Sequence, residues 1–383
     1  LNIMKIVQNG DTSGNGMIAK FQLPSGLAII SLPTKNFYGG HWDLGPTWNY
    51  VVLADRPFLI DAGRYGQGRY LVDMLNLAGI KPVDIDYVLI SHGHEDHDGG
   101  LAELVELTDL RIKAHRVYDL LIRQYPKSAP PGYKEHFPAK CWHCFMPESF
   151  LKDNCFQYHK VLQALDVEQI GDGCEKLGPD ISTLHLPGHS PDCLAVMLGH
   201  EALIVGDVVL PGITPWPTCL EQYDELTDVL QPLYPQASSL FGLNRYLESL
   251  KVLLRIAHRY PDILVLPAHR LFYQGRWNTI QLKERLNELM EHHVQRCASI
   301  LEIVAAGEKY AHEIARLHFS EILLKGPGKQ MAANEIISHC ELLVACGDLE
   351  EVKKHCYVST GSGNFEKSIR RVRITGKVQP LPA

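Results

Sequence analysis

The 383-residue chain has no apolar run approaching the ~20 residues that a membrane-crossing helix needs. Its amino terminus lacks the basic-then-apolar pattern of a signal peptide, so a cytosolic protein without membrane attachment is expected. Nor is there an excess of positive charge: 37 Lys and Arg face 44 Asp and Glu, for a net charge of −7, and the pI is near 6.3. That balance argues against a surface built mainly to hold nucleic-acid phosphates or anionic lipids. The 10 cysteines are scattered. A disulfide framework belongs to much smaller secreted chains, so reduced thiols are expected. Hydrophobic residues make up 45% of the chain, ample for a buried core.

What the chain does have is concentrated in Ser91-His92-Gly93-His94-Glu95-Asp96-His97-Asp98-Gly99-Gly100, directly after the apolar run Tyr87-Val88-Leu89-Ile90. A strand ending there delivers His92 and His94 to one side of a loop, while Asp96 and His97 begin the next turn. Neutral imidazoles and a carboxylate bind Zn²⁺ and similar ions, and a catalytic site adds an open position for water. The bland alternative is solvated histidines gathered by chance in a polar loop. Against it stand further ligand types, each at the end of a predicted strand. His189 follows His185-Leu186-Pro187-Gly188, Asp207 follows Ala202-Leu203-Ile204-Val205-Gly206, and His269 follows Ile263-Leu264-Val265-Leu266-Pro267-Ala268. Upstream, Phe58-Leu59-Ile60-Asp61-Ala62-Gly63 repeats the arrangement with an acid where a strand turns.

This ordered set resembles the metallo-β-lactamase superfamily and matches it at all five of that family's motif positions. The resemblance implies an α/β (α+β) fold, the αββα sandwich. It places His92, His94 and His189 on one metal, Asp96, His97 and His269 on a second, and Asp207 between the two. Asp61 corresponds to the acid that orients ligands without being one. Two divalent ions per chain follow, zinc first, with iron or manganese accepted by the same ligands. A hydrolase using a metal-bound hydroxide is implied, with Asp96 and Asp207 as the acids of the catalytic centre. Two divalent ions, two carboxylates and one hydroxide leave a net positive charge, which favours anionic or electron-rich substrates.

The length points to one large domain with an appendage: a catalytic domain over 1–278 and a tail over 279–383. Strands are expected over 17–22, 27–32, 48–53, 58–60, 83–90 and 110–114, and helices over 69–77 and from Gly100 to Leu107. Residues 115–180 are longer and less regular than a compact sandwich needs. With Pro126, Pro130-Pro131 and Pro138 among many aromatics, they read as a lid-like insertion shaping the substrate pocket; a cover over exposed core is the plain alternative. Inside it, Cys141-Trp142-His143-Cys144 offers soft ligands, but a structural zinc site needs a fourth, from His136, Cys155 or His159. The spacing matches no zinc pattern, so buried thiols packing with Trp142 are the default. Trp142, Trp216, Tyr223 and Arg270 are candidate pocket residues, with loop anchoring as the competing role for Trp216 and Tyr223.

Helices are expected over 243–258, 279–306, 310–319 and 331–345, and short strands at 356–359 and 371–375, a winged-helix pattern. His292-His293 tempts as more metal, but adjacent helical residues do not share a face, which favours a structural role. Sandwich, a helix bearing His292-His293-x-x-Arg296, and winged-helix tail together are similar to the glyoxalase II and β-lactamase-like protein 2 branch. One departure is Pro267-Ala268-His269-Arg270, where relatives have Gly-His-Gly, which sets Arg270 beside the substrate. The long insertion is another.

Hydrolysis of a thioester (acyl-CoA, acyl-carrier or glutathione) is the favoured activity, on a small-molecule, anionic acyl substrate. The alternatives are an endoribonuclease or phosphodiesterase acting on single-stranded RNA, or a lactone or ester hydrolase. For RNA speaks the basic cluster Lys367, Arg370, Arg371, Arg373 and Lys377; against it stands the acidic whole chain. A flavin-linked di-iron oxidoreductase is disfavoured because that group carries Glu where this chain has His94. A non-catalytic winged-helix regulator has no need of a complete ligand set. A homodimer through the long helix is expected.

Overall fold

The computed structural model describes residues 3–36, 43–123, 155–325 and 328–371. Its first sheet has eight strands in chain order: β1 (Met4–Gln8), β2 (Ile18–Gln22), β3 (Ala28–Thr34), β4 (Thr47–Leu53), β5 (Phe58–Ile60), β6 (Tyr87–Ile90), β7 (Arg111–His115) and β8 (Val167–Ile170). Neighbours are antiparallel from β1 to β5 and parallel from β5 to β8. The change follows the connections, because parallel neighbours need a crossover. Helix α1 (Gly68–Leu77) links β5 to β6, and α2 (Glu95–Asp98) with α3 (Leu101–Thr108) links β6 to β7. Helices α4 (Arg116–Ile122) and α5 (Cys155–Leu162) precede β8. Strand β6 is covered on both faces, which is why Tyr87-Val88-Leu89-Ile90 is an unbroken apolar run.

The second sheet runs β13-β12-β11-β10-β9, from β9 (Cys174–Gly178), β10 (Ile181–His185), β11 (Leu194–Leu198), β12 (Ala202–Gly206) and β13 (Leu264–Pro267). It is antiparallel except for β12 and β13, whose parallel crossover carries α6 (Thr227–Leu230) and α7 (Leu243–Arg259). Period-two alternation sorts the strands' side chains between layers. Ile29, Tyr50, Val52, Phe58 and Leu89 meet Leu194, Val196, Ile204 and Leu266 between the sheets. Ile30, Val51, Leu59, Val88 and Ile90 face outward onto α1 and α3. From the second sheet, Ala195, Met197, Leu203 and Val205 pack on Leu247, Leu250 and Leu253 of α7. The result is an αββα sandwich, in which truncating a central side chain such as Leu89 to Ala costs ~2–5 kcal/mol.

Beyond β13 come a small hairpin, β14 (Phe272–Tyr273) and β15 (Arg276–Trp277), and the long helix α8 (Leu282–Val304). Then follow β16 (Lys309–Tyr310), α9 (Ala311–His318), α10 (Gly328–Ala345), β17 (Leu349–Lys353), β18 (Cys356–Ser359) and α11 (Phe365–Arg371), with the three strands ordered β16-β18-β17. Leu286, Leu289 and Ile300 of α8, Ile314 of α9 and Ile336 and Leu343 of α10 belong to the same apolar cluster as α7 and the second sheet. Cys174, Cys193, Cys219, Cys297, Cys340, Cys346 and Cys356 are free thiols, and no described helix is long and apolar enough to cross a membrane.

Several expectations need correction. The strand expected from Val83 begins at Tyr87, because Pro82-Val83-Asp84 takes a 3-10 turn with Pro at its start. The span 115–180 is not all insertion: α4, α5, β8 and β9 are parts of the layered fold, and β8 and β9 are edge strands. Edge position leaves β8 buried only at its two ends, Val167 and Ile170, so its apolar signal is weak. What remains, 124–154, lies outside the described residues, and with it Trp142, Cys141, His143 and Cys144. In the tail, β18 pairs with β17, a mostly exposed strand with little apolar pattern. Of the strand expected at 371–375, Arg371 closes α11 and the rest is outside the described residues.

Candidate metal centre

All seven ligand candidates meet at one end of the sandwich, where β6, β12 and β13 stop. They fall into overlapping groups, His92 with His94 and His189, His92 with His97 and Asp207, and Asp96 with His97 and His269, whose ligand atoms lie within 4.8 Å of one another. Asp207 faces both sides: Oδ2 is 3.6 Å from His189 Nε2 and 3.3 Å from His269 Nε2, and Oδ1 is 3.5 Å from His97 Nε2. Asp96 Oδ2 lies 3.1 Å from His269 Nε2.

The chain locks these rings from behind. Asp61, held in the left-handed region at φ 64, accepts from Ser91 N at 2.7 Å, Ser91 Oγ at 2.8 Å and His97 Nδ1 at 2.8 Å. With Nδ1 donating, His97 turns Nε2 to the centre. His189 Nδ1 donates to the Trp216 carbonyl at 3.0 Å and likewise presents Nε2. Thr47 Oγ1 and Asn36 Nδ2 both donate to Asp96 Oδ2 at 3.1 Å. Asp192 joins two ligand loops, accepting from Gly93 N at 2.8 Å and from Ser190 Oγ. Close backbone approach fixes the loops: a Cβ at Gly99 would lie 2.2 Å from Tyr65 N, and one at Gly188 2.4 Å from Tyr246 Cα.

Charge divides the centre in two. Burial, reinforced by neighbouring histidines, lowers His92 and takes His94 down to about 3, and burial also lowers His189. Burial opposes charge on His97 and His269 as well, but Asp96 and Asp207 outweigh it, lifting His97 well above its usual value and His269 to about 9. Those imidazoliums in turn overcome burial at Asp96 and Asp207 and hold both below the usual carboxylate range. The donor set fits divalent ions. Among the described residues, His97 Nε2, His189 Nε2, His269 Nε2 and Asp207 Oδ1 are buried without a hydrogen-bond partner, an omission that costs ~1–3 kcal/mol per group. All four are ligand atoms aimed at one space, and divalent cations bound there would satisfy them together and would displace protons from His97 and His269.

The pocket candidates separate. Arg270, next to His269 and at φ 56, donates to the Asp43 carbonyl at 2.7 Å and stacks 4.7 Å over the Tyr273 ring. Trp216 sits beside the centre through its backbone carbonyl. Tyr223 is buried in an apolar cluster with Val117, Leu226 and Phe241, its hydroxyl donating to the Tyr234 carbonyl, so it anchors a loop. His293 is buried in the tail against His339 at 3.0 Å. Sequence reasoning missed Thr47, Asn36 and Asp192, whose roles rest on contacts to distant loops; only Asp192, three residues after His189, had a positional cue.

A second cluster, His115, His185 and Asp172, also gathers ligand atoms within 4.8 Å. The two rings stack at 3.7 Å, and Asp172 Oδ1 is 3.2 Å from His115 Nε2. Here a resident cation is present: Arg116 pairs with Asp172, and Tyr234 donates to it. His115 Nδ1 accepts from Val117 N at 3.3 Å, which leaves the proton on Nε2, facing Asp172. The cluster is a latch between the two sheets whose carboxylate already has a cation and a hydroxyl donor, although the buried His115 Nε2 makes no hydrogen bond among the described residues.

The sandwich and its end-of-strand ligands define a class, and comparison with known proteins names it. Residues 42–269, more than half of the chain, match the metallo-beta-lactamase superfamily, and the chain belongs to that superfamily, made up chiefly of hydrolases. Among curated proteins it is 27% identical over 205 residues to an atrochrysone carboxyl ACP thioesterase of Passalora fulva, covering 51% of this chain and 47% of that one. The chain therefore spans about half the length of that relative. Its fold is shared with a metallo-beta-lactamase family protein of Thermus thermophilus, at TM-score 0.60 and 20% identity over 86% of this chain and 98% of the other. A beta-lactamase domain protein of Burkholderia ambifaria matches at TM-score 0.61 and 19% identity over 92% of this chain and 95% of that one.

Proposed function

We propose that the chain is a two-metal hydrolase acting on thioesters, with an anionic acyl substrate of the small-molecule class carried on CoA, an acyl carrier or glutathione. The observation that carries this is the convergence of two ligand groups on a shared Asp207. His92, His94 and His189 would hold one ion, and Asp96, His97 and His269 the other. When bound, two divalent ions, zinc first and iron or manganese as alternatives, polarise the acyl carbonyl and lower the pKa of water. The protein's part is orientation: Asp61 fixes the His97 ring, the Trp216 carbonyl fixes His189, and Thr47 with Asn36 fixes Asp96. Arg270 adds a cation beside the centre for an anionic acyl or carrier group. The name of the Passalora fulva relative supports a thioester over other acyl compounds.

In this proposal the cytosolic catalytic unit occupies 1–278. The tail, 279–383, is a winged-helix-like unit, β16-α9-α10-β17-β18, of the glyoxalase II and β-lactamase-like protein 2 kind. Packing, not RNA binding, is its role: Arg370, part of the basic cluster, is paired with Glu291 and Glu366 at 2.9 Å each. The deciding experiment gives metal-analysed protein a panel of acyl-CoA and acyl-glutathione thioesters beside a labelled single-stranded RNA, with Asp207→Ala as control. Thioester turnover lost in the variant supports the proposal. RNA cleavage without thioester turnover overturns it.

A further inference from the structure

The segment after Asp207 is clamped at both ends. Near the centre, the Trp216 carbonyl takes the Nδ1 proton of His189, and Thr218 holds the backbone of the same ligand loop. Its N and Oγ1 donate to the Gly188 carbonyl at 2.8 and 2.9 Å. At its far end the segment is gripped by the tail. The Cys219 thiol donates to the Asn334 carbonyl of α10 at 3.1 Å. Both carboxylate oxygens of Glu341, also on α10, accept from Leu220 N at 2.9 Å. From the β17–β18 hairpin, His355 and Lys354 reach Glu221 at 2.9 and 3.3 Å. A single turn of chain, 218–220, separates the grip of α10 from the grip on the His189 loop.

We infer that Glu341 is a positioning residue for the metal centre, acting through Leu220 and the 216–220 segment to hold His189 with its Nδ1 proton on the Trp216 carbonyl. The inference deepens the two-metal proposal and rests on it for the consequence at the metal, though not for the geometry of the ring. Side chains that orient a metal ligand typically alter affinity 10- to 100-fold. Glu341 acts one link further out, so the lower end, about 10-fold, is expected for the ion on His92, His94 and His189. The ion on Asp96, His97 and His269 should keep its affinity, because Asp61 holds His97 and Thr47 with Asn36 holds Asp96, none of them through the 216–220 segment. Glu341→Gln, which keeps one acceptor oxygen for Leu220 N, should restore most of the loss.

The test uses the full chain and Zn²⁺ alone, measured by chelator competition in wild type, Glu341→Ala, Glu341→Gln and each Glu341 variant combined with His189→Ala. Selective weakening of one ion, absent when His189 is already removed, is expected. Equal weakening of both ions, or the same loss with and without His189, overturns the inference. A second arm needs no metal: ¹⁵N shifts of His189 report its tautomer in the metal-free protein. Wild type should show the proton on Nδ1, and Glu341→Ala a mixture. An unchanged Nδ1 tautomer overturns the inference. Wild-type chain that binds no Zn²⁺ would sink the two-metal proposal and leave this second arm to decide on Glu341. If Glu341→Ala fails to fold, Glu341→Gln alone carries both arms, with a smaller shift in the same direction.

Discussion

Two clusters of histidine and aspartate lie at the same end of this sandwich, and only one has the character of a metal centre. His115, His185 and Asp172 come as close together as the ligand groups around Asp207. The difference is what already answers the carboxylate: Arg116 and Tyr234 occupy Asp172, whereas among the described residues Asp207 pairs with His97, His189 and His269, whose Nε2 atoms lack hydrogen-bond partners. Burial differs too, since the Asp172 side chain is 40% exposed and that of Asp207 8%. Proximity of ligand types is therefore weak evidence, and so is one unpartnered ring nitrogen, since His115 Nε2 is one too; a buried carboxylate oxygen left unanswered among several such nitrogens is the stronger sign.

The comparison can be broken in several ways. Replacing Asp207 with Ala should have the largest effect, removing activity on the order of 10³-fold or more together with at least one metal. A fully metallated, fully active Asp207→Ala protein, by metal analysis and turnover, would defeat the shared-carboxylate assignment. Asp61→Ala should weaken metal binding ~10- to 100-fold, because Ser91 and His97 lose their common acceptor; unchanged zinc affinity in chelator competition would count against that role. Arg116→Ala should leave metal content alone and lower stability by no more than ~1 kcal/mol in denaturant melts, the range for a partly exposed ion pair. Appearance of a third metal equivalent in Arg116→Ala would sharpen the contrast, by showing that the resident guanidinium alone excludes ions.

Acid should expose the latch as well. Burial takes His115 down to about 4 and holds His185 well below its usual value too. The unfolded chain, with ordinary histidines near about 6.5, then binds more protons than the fold between those values. The latch's contribution is thus complete above about pH 6.5 and declines as pH falls toward about 4. His115→Gln should flatten the stability profile in that window, and an unchanged slope would assign the acid sensitivity elsewhere. The smallest effect is expected from Cys141→Ser with Cys144→Ser, which should leave the metal content of the main centre unchanged. Loss of one metal per chain would instead establish a separate site there.

Much of this was legible in the chain. Ligands at strand ends were visible because buried parallel strands are unbroken apolar runs and their loops carry the polar residues. The helix over 243–259 showed itself through Tyr246, Leu250 and Leu253 on one face. The edge strands β1 and β8 and the exposed β17 were not, since strands with little buried face carry little pattern. Side chains that orient ligands were also hidden. Asp192 reaches Gly93 across 99 residues and Glu341 reaches Leu220 across 121, distances over which no local periodicity operates.

The apolar cluster that runs from Leu184 on β10 to Ile369 on α11 has a consequence for synthesis. The first sheet receives its outer helices almost as soon as its strands are made, because α1 and α3 fall between them in the chain. The outer face of the second sheet has α7 in hand early, but its remaining cover arrives only with α8 to α11, which end roughly a hundred residues later. During translation the nascent protein should therefore carry a finished half and an uncovered half, with His92, His94, Asp96 and His97 in place well before Asp207 and His269 are secured. Nascent chains stalled before α10 should be the ones that recruit holding chaperones, and the metal centre should close only at the end of synthesis.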